Sequence, residues 1–260
     1  IQAIKSNDRQ TAISIINGAE YHKIKTDYMS AVENRIEQVR NRSISNEANP
    51  LNLTAQEQHW IANNKVSVGV EHYPPIIFMQ DEKTPGGLAG EILRQIIKKS
   101  GLQTEYITGS WDKILTQFKQ GEIDLLPDAY SLEERKEFGY FSTPYFMVRE
   151  LFYVKDSNTR FQSSLDLSKS TIAIMSGYGT TAMIKDLYPD IKILETLNLE
   201  DSINKVLKGK ADALFETQIV VEDRIKQNNI SGLRVIDEDV VPPSSLHFFS
   251  NKDKKILSGI

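Results

Sequence analysis

At 260 residues the chain is long enough for two lobes of roughly 100 residues each and a short additional segment. Its 31 Lys and Arg residues against 35 Asp and Glu residues leave a net charge of -4 without a basic tract, which argues against a nucleic-acid partner. The absence of Cys excludes thiolate chemistry, and the four His residues lack metal-ligand spacing, so we expect no metal and no cofactor. No apolar run reaches the roughly 18 residues of a membrane-spanning helix.

The first 50 residues differ in character from the rest. Between Glu20 and Arg42, apolar side chains recur at helical spacing without an interrupting Gly or Pro, which predicts one long amphipathic helix. Its apolar stripe suits docking on the main body; the alternative is pairing with another helix, and a helix of a second chain would make a homodimer. The polar stretch 43–52 is the expected linker.

From Leu53 onwards, predicted helices and strands alternate. Thr54 is placed to cap the first of these helices, with Gln and Glu residues close behind it. The predicted elements are a helix at 53–61, a strand at 66–70, a helix at 92–99, a strand at 102–107 and a helix from Trp111 to Gly121. This alternation is typical of βαβ units and predicts an α/β fold.

Tyr73 lies just after the first predicted strand and directly before two prolines. That position can present an aromatic ring to a ligand. The alternative is that the ring packs at the edge of the core.

Two stretches of the sequence resemble each other. Residues 121–128 align with residues 209–216, with Gly on Gly and Asp124 on Asp212. In each stretch an amphipathic helix ends at a Gly suited to a left-handed C-cap, and a short apolar strand follows, at 123–126 in the first copy. We therefore expect two similar α/β halves.

Charged side chains follow both of these strands. Ligands of open α/β sheets bind beyond the carboxyl ends of the strands, where we place Asp128, in a loop with Tyr130, and Glu216. The two acids would line opposite walls of a cleft; the alternative is that each is a solvated loop residue. Arg135, on a short helix after the loop, can hold a carboxylate with two hydrogen bonds, or can form a salt bridge to a neighbouring Glu.

The chain then crosses to its second half. An extended segment at 146–155 without a turn signal can leave one lobe and enter the other. The remaining predicted elements are a strand at 171–175, a helix at 220–227, a strand at 233–236, a strand at 245–250 that returns to the first lobe, and the start of a final helix. These elements divide the chain into an extension and linker at 1–52, a first lobe at 53–150 and 237–260, and a second lobe at 151–236.

A turn made of Gly179, Thr180 and Thr181 precedes a helix that is predicted to begin near Ala182. Such a turn offers backbone N–H groups and hydroxyls to an anion, and the helix N-terminus adds a partial positive charge. The alternative is a plain N-cap turn.

Together these motifs resemble the periplasmic solute-binding proteins of the polar amino-acid class, and especially the versions fused to bacterial membrane sensors such as sensor kinases or diguanylate cyclases. The resemblance implies a two-lobe, type II periplasmic-binding-protein fold, the Venus flytrap, here with an N-terminal helical extension. It covers about four fifths of the chain. The matching motifs include Tyr73-Pro74-Pro75, Gly87-Leu88-Ala89-Gly90-Glu91, Trp111-Asp112, Gly121-Glu122-Ile123-Asp124, Glu134-Arg135, Phe141-Ser142-Thr143-Pro144-Tyr145, Gly179-Thr180-Thr181 and Gly209-Lys210-Ala211-Asp212-Ala213.

The resemblance also implies roles for single residues. Arg135 matches the Arg that holds a ligand α-carboxylate, Thr180 and Thr181 match the turn that assists it, and Tyr73 matches an aromatic that lies against the ligand. The expected ligand-binding set is Tyr73, Trp111, Asp128, Tyr130, Arg135, Gly179, Thr180, Thr181, Glu216 and Thr217.

Two positions depart from the family pattern. Thr217, beside Glu216, stands where amino-acid binders usually carry an Asp for the α-amine. Asp128 and Tyr130 stand where small Ser or Thr residues are usual. Carboxylate recognition therefore carries over, whereas amine recognition would need a compensating acid, Asp128 or Glu216.

The resemblance implies an extracytoplasmic, periplasmic sensor domain of a membrane signalling receptor, which binds a small carboxylate-bearing, amino-acid-like solute between two lobes. The chain begins without Met and stops where a helix begins, so we expect a transmembrane helix to follow and membrane contact only through segments outside this sequence. One alternative is the soluble amino-acid-binding component of an importer. Another is an enzyme on the same fold, although the sequence offers no Ser-His-Asp set and no cofactor loop. We expect the domain itself not to be an enzyme.

Overall fold

The computed structural model describes residues 51, 53–236 and 241–260. The predicted helix between Glu20 and Arg42 and nearly all of the predicted linker lie outside the described residues. The described chain divides into two compact units. The first unit holds the described residues up to Met147 together with Ser244–Ile260, and the second unit holds those of Val148–Pro243.

The described chain alternates helices and strands in both units. The first unit contains α1 (Ala55–Asn63), β1 (Lys65–Val70), β2 (Phe78–Met79), β3 (Pro85–Gly86), α2 (Gly87–Ser100), β4 (Gln103–Thr108), α3 (Trp111–Lys119), β5 (Leu125–Tyr130), β6 (Gly139–Phe141), β7 (Phe146–Val148, which ends at the crossing) and β13 (Ser244–Asn251). The second unit contains β8 (Glu150–Lys155), β9 (Thr171–Met175), α4 (Thr180–Leu187), β10 (Lys192–Thr196), α5 (Leu199–Leu207), β11 (Ala213–Thr217), α6 (Gln218–Asn228) and β12 (Leu233–Val235). Short 3-10 helices lie at Glu133–Arg135, Ser164–Leu167 and Lys252–Ser258.

Each unit is built on one mixed sheet, and the two sheets have the same plan. The strand order is β4-β1-β5-β13-β6 in the first, with β7 also pairing with β13, and β10-β9-β11-β8-β12 in the second. In the first sheet β1 lies between the parallel strands β4 and β5, and β13 is antiparallel to β5. In the second sheet β9 lies between the parallel strands β10 and β11, and β8 is antiparallel to β11. The predicted pair of similar α/β halves is therefore confirmed.

The repeated Gly ends a helix in the same way in both units. Gly121 has φ +79° and Gly209 has φ +68°, the left-handed region that favours Gly. Their N–H groups donate to Phe118 and Val206, each at 3.0 Å, and satisfy carbonyls of the last helical turn. The predicted C-caps are confirmed, and they turn both chains into the strand that follows.

The repeated Asp ties that turn to the neighbouring strand. Asp124 Oδ2 accepts the backbone N–H of Ser67 at 2.9 Å, while its own N–H donates to Ser67 O at 2.9 Å. Asp212 makes the same two hydrogen bonds to the N–H and carbonyl of Thr171, both at 2.8 Å. The sequence repeat thus corresponds to one structural corner that occurs twice.

Both sheets are covered by apolar side chains. In the second unit a buried cluster comprises Phe152, Val154, Phe161, Leu167, Ile172, Ile174, Ile184, Ile191, Ala213, Phe215, Ile236 and Val241. In the first unit the ring of Phe249 lies 4.6 Å from that of Phe118 and stacks at 4.1 Å on Phe141. These contacts hold the returning strand β13 in the first sheet.

Several predicted boundaries were wrong. Asp128 and Tyr130 belong to β5 and not to a loop, because β5 continues along β13 as far as the pair of Tyr130 with Leu246. Glu216 likewise lies within β11, which pairs with β8 as far as Thr217. By contrast, the predicted short helix with Arg135 is present, as the 3-10 helix Glu133–Arg135.

Other elements also differ at their ends. Helix α2 begins at Gly87, five residues before the predicted start, and α4 begins at Thr180 instead of near Ala182. The extended segment at 146–155 is two strands separated at Arg149. Among the described residues, none of the helices combines the length and the apolarity that crossing a membrane requires.

Candidate functional site

Two acidic residues lie at the carboxyl ends of β1 and β5. Val68 of β1 pairs with Leu125 of the parallel strand β5. Glu71 is the first residue after β1, and Asp128 lies within β5, three residues after Leu125. Glu71 is one of the groups that act on the pKa of Asp128. Asp128 is only 7% exposed, whereas Glu71 is half-buried. The parallel register thus brings together two acids that are distant in sequence.

Arg135 lies next to this pair, on the 3-10 helix that follows β5. Its side chain is 4% exposed, and its guanidinium carbon lies 5.1 Å from the centroid of the Trp111 ring. Nη1 donates to the carbonyl of Tyr130 at 3.3 Å. The ring and the carbonyl fix the plane of the guanidinium.

The charges of this group influence one another. Burial raises the pKa of Asp128 to about 7, while its own N–H, Glu71 and the positive charge of Arg135 act to lower it. Burial also raises the pKa of Tyr145, with a smaller contribution from the charge of Asp128. The Tyr145 hydroxyl donates to the carbonyl of Pro127 at 2.9 Å. Asp128 is therefore an acid whose charge depends on pH near neutrality.

Tyr73 lies at the same end of β1. Its N–H donates to Ile77 O at 2.8 Å, and its carbonyl accepts from Ile76 at 2.9 Å. The side chain is buried. A tight turn therefore holds Tyr73 two residues beyond Glu71.

In the second unit the predicted anion turn is the start of helix α4. Gly179 is the N-cap residue, and the N–H of Thr181 donates to Tyr178 O at 3.2 Å. Thr180 is only 3% exposed, and its Oγ1 has no hydrogen-bond partner within the described part of the chain. A buried hydroxyl without a partner costs about 1–3 kcal/mol.

The end of β11 carries buried polar residues. Oε1 of Glu216 accepts the N–H of Thr217 at 2.7 Å, and both side chains are buried. Thr217 pairs across the strands with Glu150 of β8, which is also buried. In the first turn of α6, Nε2 of Gln218 donates to Oε1 of Glu222 at 3.1 Å.

The structure thus gathers the candidate residues in separate groups. In the first unit the contacts join Trp111, Asp128, Tyr130 and Arg135. In the second unit the candidates lie at the start of α4 and at the end of β11. Within the described residues, no cluster of three or more His, Cys, Asp or Glu side chains is arranged to hold a metal ion.

Two further acids were not among the predicted site residues. Glu71 lies three residues after Val68 of β1, and Asp128 lies three residues after Leu125, the residue of β5 that pairs with Val68. Glu150 interrupts the apolar run at 146–155 with a charge, which is the sequence signal that could have identified it.

Comparisons with known proteins define the class. The periplasmic VFT2 domain of Bordetella pertussis BvgS superposes with a TM-score of 0.70 at 22% identity, covering 79% of this chain and 89% of that chain. The fold is thus the two-lobe Venus flytrap of periplasmic binding proteins, as predicted. Residues 66–241 match the bacterial extracellular solute-binding proteins, family 3, and the chain belongs to this family. The family is one of solute-binding and sensor domains, not of enzymes.

Relatives of two kinds are found. The virulence sensor protein BvgS of Bordetella pertussis is 23% identical over 211 residues, which are 80% of this chain but only 17% of BvgS. A probable histidine-binding protein of Campylobacter jejuni is 25% identical over 190 residues, 72% of this chain and 72% of that protein. The chain therefore spans about a sixth of the sensor and most of the binding protein.

Proposed function

We propose that this chain is the periplasmic sensor domain of a membrane signalling receptor and that it binds a small, carboxylate-bearing, amino-acid-like solute with residues of both units. Membership of a solute-binding family and the similarity to BvgS support a ligand-binding sensor. Binding would shift the domain between two states and pass that shift to a signalling module.

The buried hydroxyl of Thr180 is the observation that supports ligand binding most directly. It is buried at the N-terminus of α4 without a hydrogen-bond partner among the described residues, at a place where backbone N–H groups and the helix dipole favour an anion. A ligand carboxylate oxygen would accept from this hydroxyl and remove the cost of leaving it unsatisfied.

Arg135 supports a carboxylate as the recognised group. Its guanidinium is held by Trp111 and the Tyr130 carbonyl, and a guanidinium held in one plane can bind a carboxylate with two parallel hydrogen bonds. Asp128 and Glu216 are the acids that we propose for a cationic group of the ligand. Tyr73 would pack against the ligand.

A thermal-shift screen of the purified chain against amino acids, dicarboxylates, polyamines and aromatic acids tests the proposal. A solute present at 100 times its dissociation constant adds about 2.7 kcal/mol of stability, which is easily measured. The expected result is a hit among carboxylate-bearing solutes. A screen in which no carboxylate raises the melting temperature would contradict the proposal.

A second candidate function is that of the binding component of an importer, and it is supported by a binding protein that the chain matches over most of its length. The chain spans 72% of the probable histidine-binding protein. The full-length gene product decides between the two functions, because a sensor carries a transmembrane helix and a signalling domain in the same polypeptide. We further propose that the domain itself does not convert its ligand, so a bound solute recovered after prolonged incubation should be unchanged.

The amphipathic pattern between Glu20 and Arg42 supports a homodimer formed by the N-terminal segment. Sedimentation of the whole chain and of residues 51–260 tests this proposal, since only the whole chain should dimerise. The same number of chains per particle in both samples would contradict it.

A further inference from the structure

A buried histidine lies close to both connections between the units. The chain passes from the first unit to the second after Met147 and returns after Pro243. His247 follows the second connection by four residues, and its ring contacts the segment that leads to the first connection. The residue is only 7% exposed. The contacts of this one ring therefore join the two stretches of the first unit that lead to the second unit.

Both ring nitrogens of His247 have partners. Nδ1 lies 2.6 Å from the carbonyl oxygen of Ser142, and because a carbonyl only accepts hydrogen bonds, Nδ1 carries the hydrogen. Nε2 of the neutral ring then accepts from the hydroxyl of Ser245, which lies 2.8 Å away. The ring also packs edge to face with Phe141, with 5.6 Å between the two centroids. These contacts fix both the position and the plane of the imidazole.

The ring lies at a break in the pairing of the first sheet. Residues 142–145 separate β6 from β7, and both of these strands pair with β13. Within that segment, Pro144 has no N–H to donate to a neighbouring strand. Strand β13 is also irregular here, with a shift of register between His247 and Phe249. The Nδ1–H of His247 thus gives the carbonyl of Ser142 a partner at the place where the edge of the sheet is interrupted.

Hydrogen bonds of the main chain join the same two stretches on either side of the ring. The N–H of Ser142 donates to Phe248 O at 2.8 Å, and the N–H of Phe248 donates to Oγ of Ser142 at 3.0 Å. The N–H of Tyr145 donates to Leu246 O at 3.0 Å. Since His247 stands between Leu246 and Phe248, its ring adds a side-chain link between these two groups of bonds.

We propose that His247, bound to Ser142 and Ser245, is a latch that holds the two connecting stretches together and so restricts the arrangements that the two units sample. Two connections that bend independently allow more arrangements than two that are joined close to the points where the chain crosses. All contacts of the latch form within the first unit, so it does not depend on a bound solute. His247 is in this sense a positioning residue.

Distances between two spin labels test the latch. Because the chain contains no Cys, Lys83→Cys and Lys208→Cys place one label on each unit, both at exposed positions. Pulsed electron–electron double resonance of the labelled chain, with no solute added, measures the distribution of distances between the labels. We expect His247→Ala to broaden this distribution. His247→Asn should restore the narrow distribution, because its amide N–H can still donate to the carbonyl of Ser142.

Asn251→Ala is the matched control. It also removes from β13 a buried side chain that donates to a backbone carbonyl, that of Phe118 at 2.5 Å, but at the end of the strand away from the connections. This variant should keep the distribution of the otherwise unchanged labelled chain.

Two results would overturn the proposal. One is an unchanged width in His247→Ala, and the other is an equal broadening in Asn251→Ala. If His247→Ala does not fold, His247→Leu decides the first point, because it retains a buried side chain and loses both hydrogen bonds of the ring. Since no solute is present, either failure leaves the proposed solute binding unaffected.

Discussion

At the scale of single residues, a substitution at Thr180 should lower ligand affinity without lowering the stability of the chain. Replacing it by Val keeps its shape and removes a buried hydroxyl that has no partner within the described residues. We expect the ligand-free Thr180→Val chain to be as stable as the wild type or more stable by about 1 kcal/mol, and its affinity for a carboxylate ligand to fall about tenfold or more. Denaturant unfolding and calorimetric titration measure the two quantities.

Ser170 offers the matched control for this substitution. Its hydroxyl is also buried without a hydrogen-bond partner in the described chain, but it lies before β9, at the opposite end of that strand from Thr180. Ser170→Ala should therefore leave ligand affinity unchanged. An equal loss of affinity in both variants would show that the Thr180 effect is not local.

Asp128 makes stability depend on pH. Its folded-state pKa, about 7, is raised from the ordinary value of 3.8, so the folded chain holds an additional proton between these values. Stability is greatest below the unfolded pKa and decreases as the pH rises towards 7, by at most about 1.4 kcal/mol per pH unit. Asp128→Asn should have a flatter profile in urea unfolding between about pH 5 and about pH 8. Parallel profiles for wild type and variant would contradict this assignment.

At the scale of elements, the repeated corner is a shared source of stability. Asp124 and Asp212 each accept a backbone N–H at the start of a unit's sheet, from Ser67 and Thr171. Asp212→Ala leaves that N–H unsatisfied and should cost about 1–3 kcal/mol in urea unfolding. Asp212→Asn keeps an accepting oxygen and should cost clearly less; equal losses in the two variants would contradict the role of this hydrogen bond.

The same elements show what the sequence can predict. The helix ends at Gly121 and Gly209 were predictable because a left-handed C-cap is a local property of the chain. The ends of β5 and β11 were not predictable, since Asp128 and Glu216 are ordinary loop residues by composition and are held in strands by β13 and β8.

The chemistry of the candidate residues was more accessible to prediction than their surroundings. Arg135 and Thr180 were identified from short motifs, but the burial of each depends on packing that no local pattern encodes. The position of Trp111 beneath Arg135 follows from the fold of the whole first unit. The pairing of β1 with β5, which places Glu71 and Asp128 at the same edge of the sheet, is not displayed by the sequence.

At the scale of the whole molecule, the proposed sensor requires one ligand to engage both units. The chain passes between the units after Met147 and after Pro243, so each unit can unfold locally with its own free energy. A ligand that contacts both should slow amide hydrogen exchange in β5 and in α4 together. Slower exchange in one unit alone would contradict binding by both.

The central claim is that Arg135 holds the carboxylate of a small solute, and calorimetric titration of the best hit from the screen tests it most directly. Arg160→Ala is the matched control, because its exposed guanidinium also lies over an aromatic ring, 4.8 Å from the centroid of Phe161, but in the second unit and away from the candidate residues. We predict that Arg160→Ala binds as the wild type does and that Arg135→Ala loses about 1.5–3 kcal/mol of binding free energy, roughly ten- to hundredfold or more in affinity. Equal affinities for wild type, Arg135→Ala and Arg160→Ala would contradict the account.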